Sequence, residues 1–484
     1  MLGPGKPSGL PAKTFNPLGP PSENRVPPAG TAQGGEAASP LRNVGFRMAL
    51  VLVFIYFSNI HQLLAYVLHV NLFLLYLFGI PTLLGVVLAG GIQRTLRGRP
   101  AIYWTIFVVL LLAGIPFSSW RSGAVDTLIP YLRTVFPMLF VIAGLALTWR
   151  ECRSMMWAIA AGGAVIMTAA KLFQDTSSGY GDRLAIEFGT IANSNDYAVH
   201  LLFVLPFVIW VALGSKSKAL QLVAWGVVCF GVLLVLRTAS RGAFLGLVSG
   251  VLYWLFRGTM RQKLGLLIVG PIAVVALAAS VPRSSLIRIV SFSAADDSAS
   301  EEALESSEMR RYLLEKSIAY TLQNPVFGLG MGQFNLYEGL HNQVVGTHGM
   351  WHQTHNTFTQ VSSECGIPAL ALYIAGIVST FLMVNRVYRQ ACGRPDCEDI
   401  RIATFCIMLA MTTYCTGMIF VNFAYFFYLP VMSSLAIAVS HAAQNEFACR
   451  CSSTVGIQVG FAPQQLWSAR WKRVAPGATP ASRR

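Results

Sequence analysis

Hydrophobic positions in this chain recur neither every second residue nor along a narrow helical stripe. They fill blocks of about 20 residues, the length a helix needs to cross a bilayer, and charge, glycine or proline separates one block from the next. Twelve blocks fit: 48–68, 71–91, 101–117, 129–148, 154–173, 193–213, 219–236, 242–256, 264–281, 366–385, 402–420 and 423–441. The first two and the last two are nearly continuous. In hydrocarbon each backbone N–H and C=O must be paired within its own segment, so apolar blocks of this length fold as helices. The expected fold is therefore all-α: a polytopic membrane protein with about 12 transmembrane helices.

The segments between the blocks set the domain organisation. Residues 1–45, with nine Pro and seven Gly among the first forty and no long apolar run, are expected to form a disordered cytoplasmic tail. They lack the succession of charged, apolar and small residues that marks a signal peptide. Residues 46–281 carry the first nine spans, 282–365 form one outer loop of 84 residues, 366–441 carry the last three spans, and 442–484 are a basic cytoplasmic tail.

Charge changes this picture only once it is located. The 36 Lys and Arg against 21 Asp and Glu give a net +15, which on its own points to an acidic partner such as nucleic acid. Only 12% of the residues are charged and 54% are apolar, however, about half the charged share of a soluble domain. With the N-terminus inside, the cytoplasmic segments hold 25 basic and 7 acidic residues and the outer segments 10 and 14, while Arg133 lies within the fourth block. This is the positive-inside pattern. It places both termini in the cytoplasm and leaves no excess that needs a nucleic-acid partner; the basic tails fit attraction to anionic membrane lipid.

Candidate chemistry concentrates in the outer loop. Of nine Cys only Cys365 faces that side, so no disulfide is expected, and Cys392, Cys397, Cys449 and Cys451 lack the further ligands of a zinc site. Within the loop, residues 296–308 are acidic and Ser-rich. Met309, Tyr312, Leu313, Lys316, Ala319 and Tyr320 then recur at helical spacing until Asn324 and Pro325. Gly328, Gly330 and Gly332 follow a helix rather than a strand and do not match a phosphate loop or a dinucleotide fingerprint. His341, His348, His352 and His355 are half of the eight histidines. His348 and His352 could share a helical face, but no acidic ligand is near them, so neither a metal nor another cofactor is expected.

The run His355-Asn356-Thr357-Phe358-Thr359-Gln360, followed by Glu364-Cys365-Gly366, resembles the signature of the bacterial O-antigen ligase and O-antigen polymerase superfamily. Arg310, ahead of Asn324-Pro325 and Gly328-Leu329-Gly330, is similar to that family's loop arginine. Ser240-Arg241-Gly242-Ala243 is similar to its Ser-Arg-Gly motif, and Gly189-Thr190 with Asn193-Ser194-Asn195-Asp196 to its Gly-Thr and Asn-Pro-Asn element. Ser194 replaces the usual Pro, and Leu314 stands where the family commonly has an aromatic residue. The resemblance covers 189–368 by motif and the remainder by architecture.

That resemblance implies a multi-pass enzyme of the bacterial inner membrane, active at its periplasmic face. It would take a glycan from a polyprenyl (undecaprenyl) diphosphate and transfer it to a hydroxyl of the lipid A core in lipopolysaccharide biosynthesis. His355 is the candidate general base, since an unperturbed imidazole titrates near the working pH, about 6.5, and Asn356 would orient it or the acceptor. Arg241, Arg310, Arg311, Arg237 and Arg133 are candidate diphosphate ligands, because guanidinium offers permanent charge and paired donors. A charge inside a span, as at Arg133, is costly and so a functional candidate by default. Ser240, Asn195, Asp196 and Glu364 are supporting candidates; Glu364 is a rival base or a structural residue at the helix junction. Arg183 and Arg288 lie on the same outer face. A polymerase of lipid-linked repeat units and a protein O-oligosaccharyltransferase share this chemistry. A transporter is the alternative outside the class, but no internal repeat with matching broken helices is found.

Overall fold

The computed structural model describes residues 40–174, 183–282, 285–286, 298–344 and 351–459. Within them the regular secondary structure is helical apart from one antiparallel bridge between Gln174 and Ile186. In chain order the helices are α1 (Pro40–Ser58), α2 (Ile60–Leu68), α3 (Leu74–Leu88), α4 (Gly91–Leu96), α5 (Arg99–Gly114), α6 (Arg121–Pro130), α7 (Met138–Leu145), α8 (Trp149–Leu172) and α9 (Ser194–Gly214). They continue as α10 (Lys218–Arg237), α11 (Arg241–Arg257), α12 (Met260–Ser280), α13 (Ser298–Gln323), α14 (Phe334–Val344), α15 (Thr357–Cys392), α16 (Glu398–Gly417) and α17 (Tyr428–Val459).

Among the described residues, eight stretches are long and apolar enough to cross a membrane, rather than the twelve expected: Pro40–Ser58, Arg99–Phe117, Arg121–Leu145, Trp149–Leu172, Ser194–Gly214, Lys218–Arg237, Thr357–Cys392 and Pro395–Phe420. Helices α3, α11, α12 and α17 occupy the other four blocks, α3 and α11 with only 15 and 17 residues. Three blocks fold differently from the expectation. The first is divided at Asn59, whose left-handed φ of 49° separates α1 from α2. Residues 40–45, expected in the tail, are the first turns of α1, where the buried Arg42 pairs with Glu151 at 2.8 Å. The fourth block carries Pro130 and Pro137, which cannot donate to the helical ladder, and a π turn at Tyr131–Val135 joins α6 to α7 between them. In the last block residues 421–427 are not helical and α17 begins only at Tyr428.

Helix α9 is apolar on all sides and buried on all sides, packing against α8, α10, α11 and α16. Its one imidazole, His200, is satisfied by Tyr428 Oη at 2.7 Å and the Phe57 carbonyl at 3.1 Å, tying α9 to α17 and α1. Helix α11 approaches α16 along Gly242, Gly246 and Gly250, spaced so that all three share one face; a Cβ at these positions would meet Phe420, Leu202 and Thr413.

Connections collect at two ends of the bundle. At one end arginines satisfy backbone carbonyls: Arg42 donates to Leu145 (2.7 Å), Arg94 to Gly144 and Ala89, and Arg394 to Phe447 (3.1 Å). Arg450 there also pairs with Asp399 at 3.0 Å. At the other end lie the α5–α6 turn, residues 183–195, the α10–α11 junction, α13, α14 and residues 421–427.

The piece that organises this second end is the break in α15 at Gly366 (φ 86°, ψ 172°), two residues before Pro368. The glycine loop docks there: Leu329 N and Gly330 N donate to the carbonyls of Ser363 (2.9 Å) and Glu364 (2.8 Å), and Ile367 N donates to the Pro325 carbonyl at 2.8 Å. The fully buried Glu364 side chain accepts from Gly332 N (3.0 Å), Phe334 N (3.4 Å) and Tyr425 Oη (2.6 Å). Gly328 and Gly366 have left-handed φ, and a Cβ on either would run into the backbone of the other segment. The glycines therefore serve a backbone-on-backbone contact. Gly366→Ala is predicted to cost at least about 1–3 kcal/mol from its φ alone, seen as a lower apparent Tm in detergent, whereas alanine at the exposed neighbour Ile367 leaves Tm nearly unchanged.

Candidate functional site

Thr321 of α13 hydrogen-bonds Ser362 of α15 through their hydroxyls at 2.9 Å, so the docked loop also fixes the long outer helix. Leu313, Tyr320, Leu329 and Phe334 form a small core of their own beneath it. Three helical turns before Thr321, the Arg310 end of α13 overlies a cavity of about 370 Å³. Its polar lining is Arg183, Asn195, Arg241, Ser307, Arg310, Arg311, Thr354, His355 and Asn356; Ala239, Leu245, Leu314, Ile419 and Phe420 supply the apolar walls.

Six of the residues singled out from the sequence therefore meet in one place: Asn195, Arg241, Arg310, Arg311, His355 and Asn356. They come from four segments spread over about 160 residues of the chain. Among the described residues, the N-termini of α9, α11 and α15 all abut this cavity, through Asn195, Arg241 and Asn356. The positive dipole ends of three helices thus border it, in addition to the guanidinium groups, although side-chain caps already accept one or two first-turn N–H groups at each.

Local sequence explains each placement. Ser240 caps α11 by accepting from Ala243 N at 3.4 Å, which puts Arg241 at the first helical position. Asn356 caps α15, its Oδ1 accepting from Phe358 N (2.9 Å) and Thr359 N (3.2 Å). The cap uses the side-chain oxygen that was expected to orient His355 or an acceptor, and only Nδ2 is left for that task. Thr354 holds the capping turn against Asn422 at 3.2 Å. His355 itself has a left-handed φ of 51°, uncommon outside glycine.

Arg183 is one of the outer-face arginines that the sequence left unranked, and it lines the cavity. Its Nε donates to the Thr238 carbonyl (3.0 Å) and its Nη2 to Asn195 Oδ1 (3.2 Å), so it bridges the α10–α11 junction and α9 at the cavity wall. Only distant hydrogen-bond partners reveal this. Arg311 lines the rim but is largely exposed and paired with Glu315 at 3.0 Å.

The remaining candidates are not brought into the cavity. Arg133 is exposed on the π turn, with its guanidinium 5.3 Å from the Tyr76 ring. Arg237 is in the last turn of α10, and its buried Nε has no acceptor among the described residues. Asp196 follows Asn195 on α9 but does not line the cavity. Ser240 acts as a cap and Glu364 as the loop anchor. Gly189 and Thr190 are structural: Thr190 N donates to Gln62 of α2 at 3.0 Å. His341 is exposed and stacked on Tyr337, and His348 and Arg288 lie outside the described residues.

Electrostatically the cavity keeps its imidazole neutral. Burial, and then the positive Arg310 and His352 beside it, lower His355 from 6.5 to about 4. A neutral imidazole near pH 7 has a nitrogen lone pair with which to accept a proton.

Together, these features define an all-helical membrane protein with a cationic, partly apolar cavity built around one neutral histidine. Residues 225–374 match the family model described as O-antigen ligase, so this stretch of the chain is similar to that family. The match spans Arg237, Arg241, Arg310, His355, Asn356 and Glu364, and stops beyond the α15 break. No curated protein matches the chain.

Histidine-selective NMR on ligand-free protein is predicted to find His355 uncharged down to about pH 4, and Arg310→Ala to move its midpoint up. Between the unfolded value of 6.5 and about 4 the unfolded chain binds the proton and the folded chain does not. His355 therefore contributes a loss of stability on acidification through this window, which His355→Ala removes.

Proposed function

We propose that the cavity transfers a glycan from a polyprenyl diphosphate carrier to an acceptor hydroxyl, and that the acceptor is the lipid A core, making the protein an O-antigen ligase. The observation that carries this reading is the convergence of His355 with Arg183, Arg241 and Arg310 where three helix N-termini meet. A diphosphate needs fixed positive charge and N–H donors, and the polar wall supplies both. The prenyl chain needs an apolar exit, and Leu245 and Ile419 are exposed cavity residues on α11 and beside α16.

The step balances without a cofactor. The acceptor oxygen attacks the anomeric carbon, the carbon–oxygen bond to the diphosphate breaks, and the diphosphate leaves with the bonding electrons. The hydroxyl proton passes to His355. Arg241, Arg310 and Arg183 stabilise the charge on the leaving group, the role a metal plays in other transferases. Bound diphosphate also offsets the Arg310 charge that disfavours protonation of His355, so the base gains proton affinity when its substrate is in place. Asn356 Nδ2 is placed to hold the acceptor.

The topology proposed with it has twelve spans, adding α3, α11, α12 and α17 to the eight that qualify by length and composition. Both termini lie in the cytoplasm, and the cavity end faces the periplasm of the inner membrane. The alternation of connections between the two ends and the basic residues at the end opposite the cavity support this orientation.

With purified protein and a defined lipid-linked donor, His355→Ala is predicted to lower transfer by about 10²–10⁴-fold; correctly inserted variant with full activity sinks the base assignment. Arg241→Ala and Arg310→Ala lose comparable activity, and chelator leaves the wild type unaffected. In a deletion strain the ligase reading predicts lipid A core without attached polymer while lipid-linked polymer accumulates. Collapse of the polymer to single repeat units would make the enzyme a polymerase instead.

A further inference from the structure

Trp351 stands just outside the cavity, in a conformation that folding alone does not explain. It is 42% exposed and has a φ of 57°, a left-handed backbone that bulky residues rarely adopt. Such strain costs about 1–3 kcal/mol and persists where the surroundings enforce it. Here they do. Trp351 N donates to Glu338 Oε2 at 2.9 Å, and that fully buried carboxylate is itself held by Tyr312 Oη (3.1 Å) and Asn342 Nδ2 (2.6 Å).

The indole rests on Gly339 of α14. A Cβ built there would meet Cδ2, Cε2 and Cε3, three consecutive atoms at the centre of the ring system. The contact is therefore made by a ring face rather than an edge, and glycine is what permits it. With one face seated on the helix, the solvent exposure falls on the opposite side. The result is a rigid aromatic plate mounted on the outer helices, whose small core is separate from that of the bundle.

Its position relates it to the reaction. Trp351 precedes His355 by four residues, so their Cα atoms are at most about 14 Å apart, a reach that a short oligosaccharide spans. Exposed His352 lies between them, its ring 6.4 Å from that of His355. The negative face of an indole attracts polarised hydrogens, and the C–H face of a pyranose presents several such hydrogens in one plane.

We propose that the outward face of Trp351 is a sugar-binding platform, on which a pyranose ring of the glycan donor or of the acceptor stacks while the reacting groups lie at His355. This inference rests on the glycan-transfer reading above but is tested without transfer. The probes are two soluble oligosaccharides, the core released from lipopolysaccharide by mild acid and a single repeat unit free of its carrier. Each is titrated onto detergent-purified protein and followed by saturation-transfer NMR.

The expected result is binding of at least one probe by the wild type, weakened about tenfold by Trp351→Ala and nearly restored in Trp351→Phe; the probe affected identifies the ring as acceptor or donor. Gly339→Ala, which pushes the plate off its seat, is expected to weaken the same probe while leaving the indole in the chain. In transfer assays the same variants raise KM for that substrate with little change in kcat. Binding of both probes unchanged by Trp351→Ala overturns the proposal, as does equal loss in the Ala and Phe variants. Weakened retention in lipid vesicles with sugar binding intact also overturns it, making Trp351 an interfacial anchor. Sugar binding through Trp351 without any transfer by the wild type would instead refute the ligase reading and leave the platform standing.

Discussion

A carboxyl group removed from water is costly unless every oxygen finds a donor, and the Glu364 side chain finds its donors in two separate stretches of chain. Gly332 N and Phe334 N come from the glycine loop, and Tyr425 Oη comes from the non-helical segment ahead of α17. The buried group at the α15 break thus joins three segments at one point. Thr357 and Gln360, seven and four residues earlier on the same helix face, continue the attachment by accepting from Phe423 N (3.0 Å) and Ala424 N (3.3 Å). Once these contacts form, the turn before α15 is held from both sides, and His355 and Asn356 are set at its mouth.

The same anchor reaches the arginines. The glycine loop ends α13 and begins α14, and it is held from below by Ser119, whose N and Oγ both donate to the Leu329 carbonyl at 2.8 Å. A helix fixed at its C-terminal end by loop and Thr321 can point its N-terminal half in few directions. Here it points Arg310 across the cavity toward Arg241, which belongs to a different helix and owes its place to the glycine face of α11. The geometry of this cavity is therefore set from outside it, by residues that do not line it.

How far this was legible in the sequence follows from the range of the interactions involved. Apolar blocks are local, and they marked the helical segments, although prolines at 130 and 137 and the left-handed Asn59 divided blocks that composition read as continuous. Motif residues such as Arg241, Arg310 and His355 stood out, and they do meet. Arg133 did not join them: it was read as a charge within the fourth span, and Arg121–Leu145 does qualify as one, but the side chain is exposed over Tyr76 rather than in the cavity. Arg183 was named as an outer-face cation without rank, yet it lines the cavity. It sits in no motif, and its role depends on Thr238 and Asn195, 55 and 12 residues away. The glycine loop matched no phosphate-binding pattern, and the close approach to the α15 backbone that it makes is a property of the assembled pair.

The charge arrangement of the cavity is also more demanding than a count of cations conveys. Helix dipoles favour anions at N-termini and disfavour cations there, yet Arg241 occupies the first position of α11, and the N-termini of α9 and α15 face the same space. The site brings together three positive helix ends, Arg183, Arg241 and Arg310, with an imidazole that stays unprotonated among them. On the function proposed above, a dianionic ligand would offset these like charges together, since they act over one small volume. In the proposed topology the outer segments carry 10 basic and 14 acidic residues, which would confine the positive field to the cavity. On that reading, a positive pocket within an acidic surface would discriminate by position, favouring a diphosphate that arrives within the membrane plane over soluble anions elsewhere on the face.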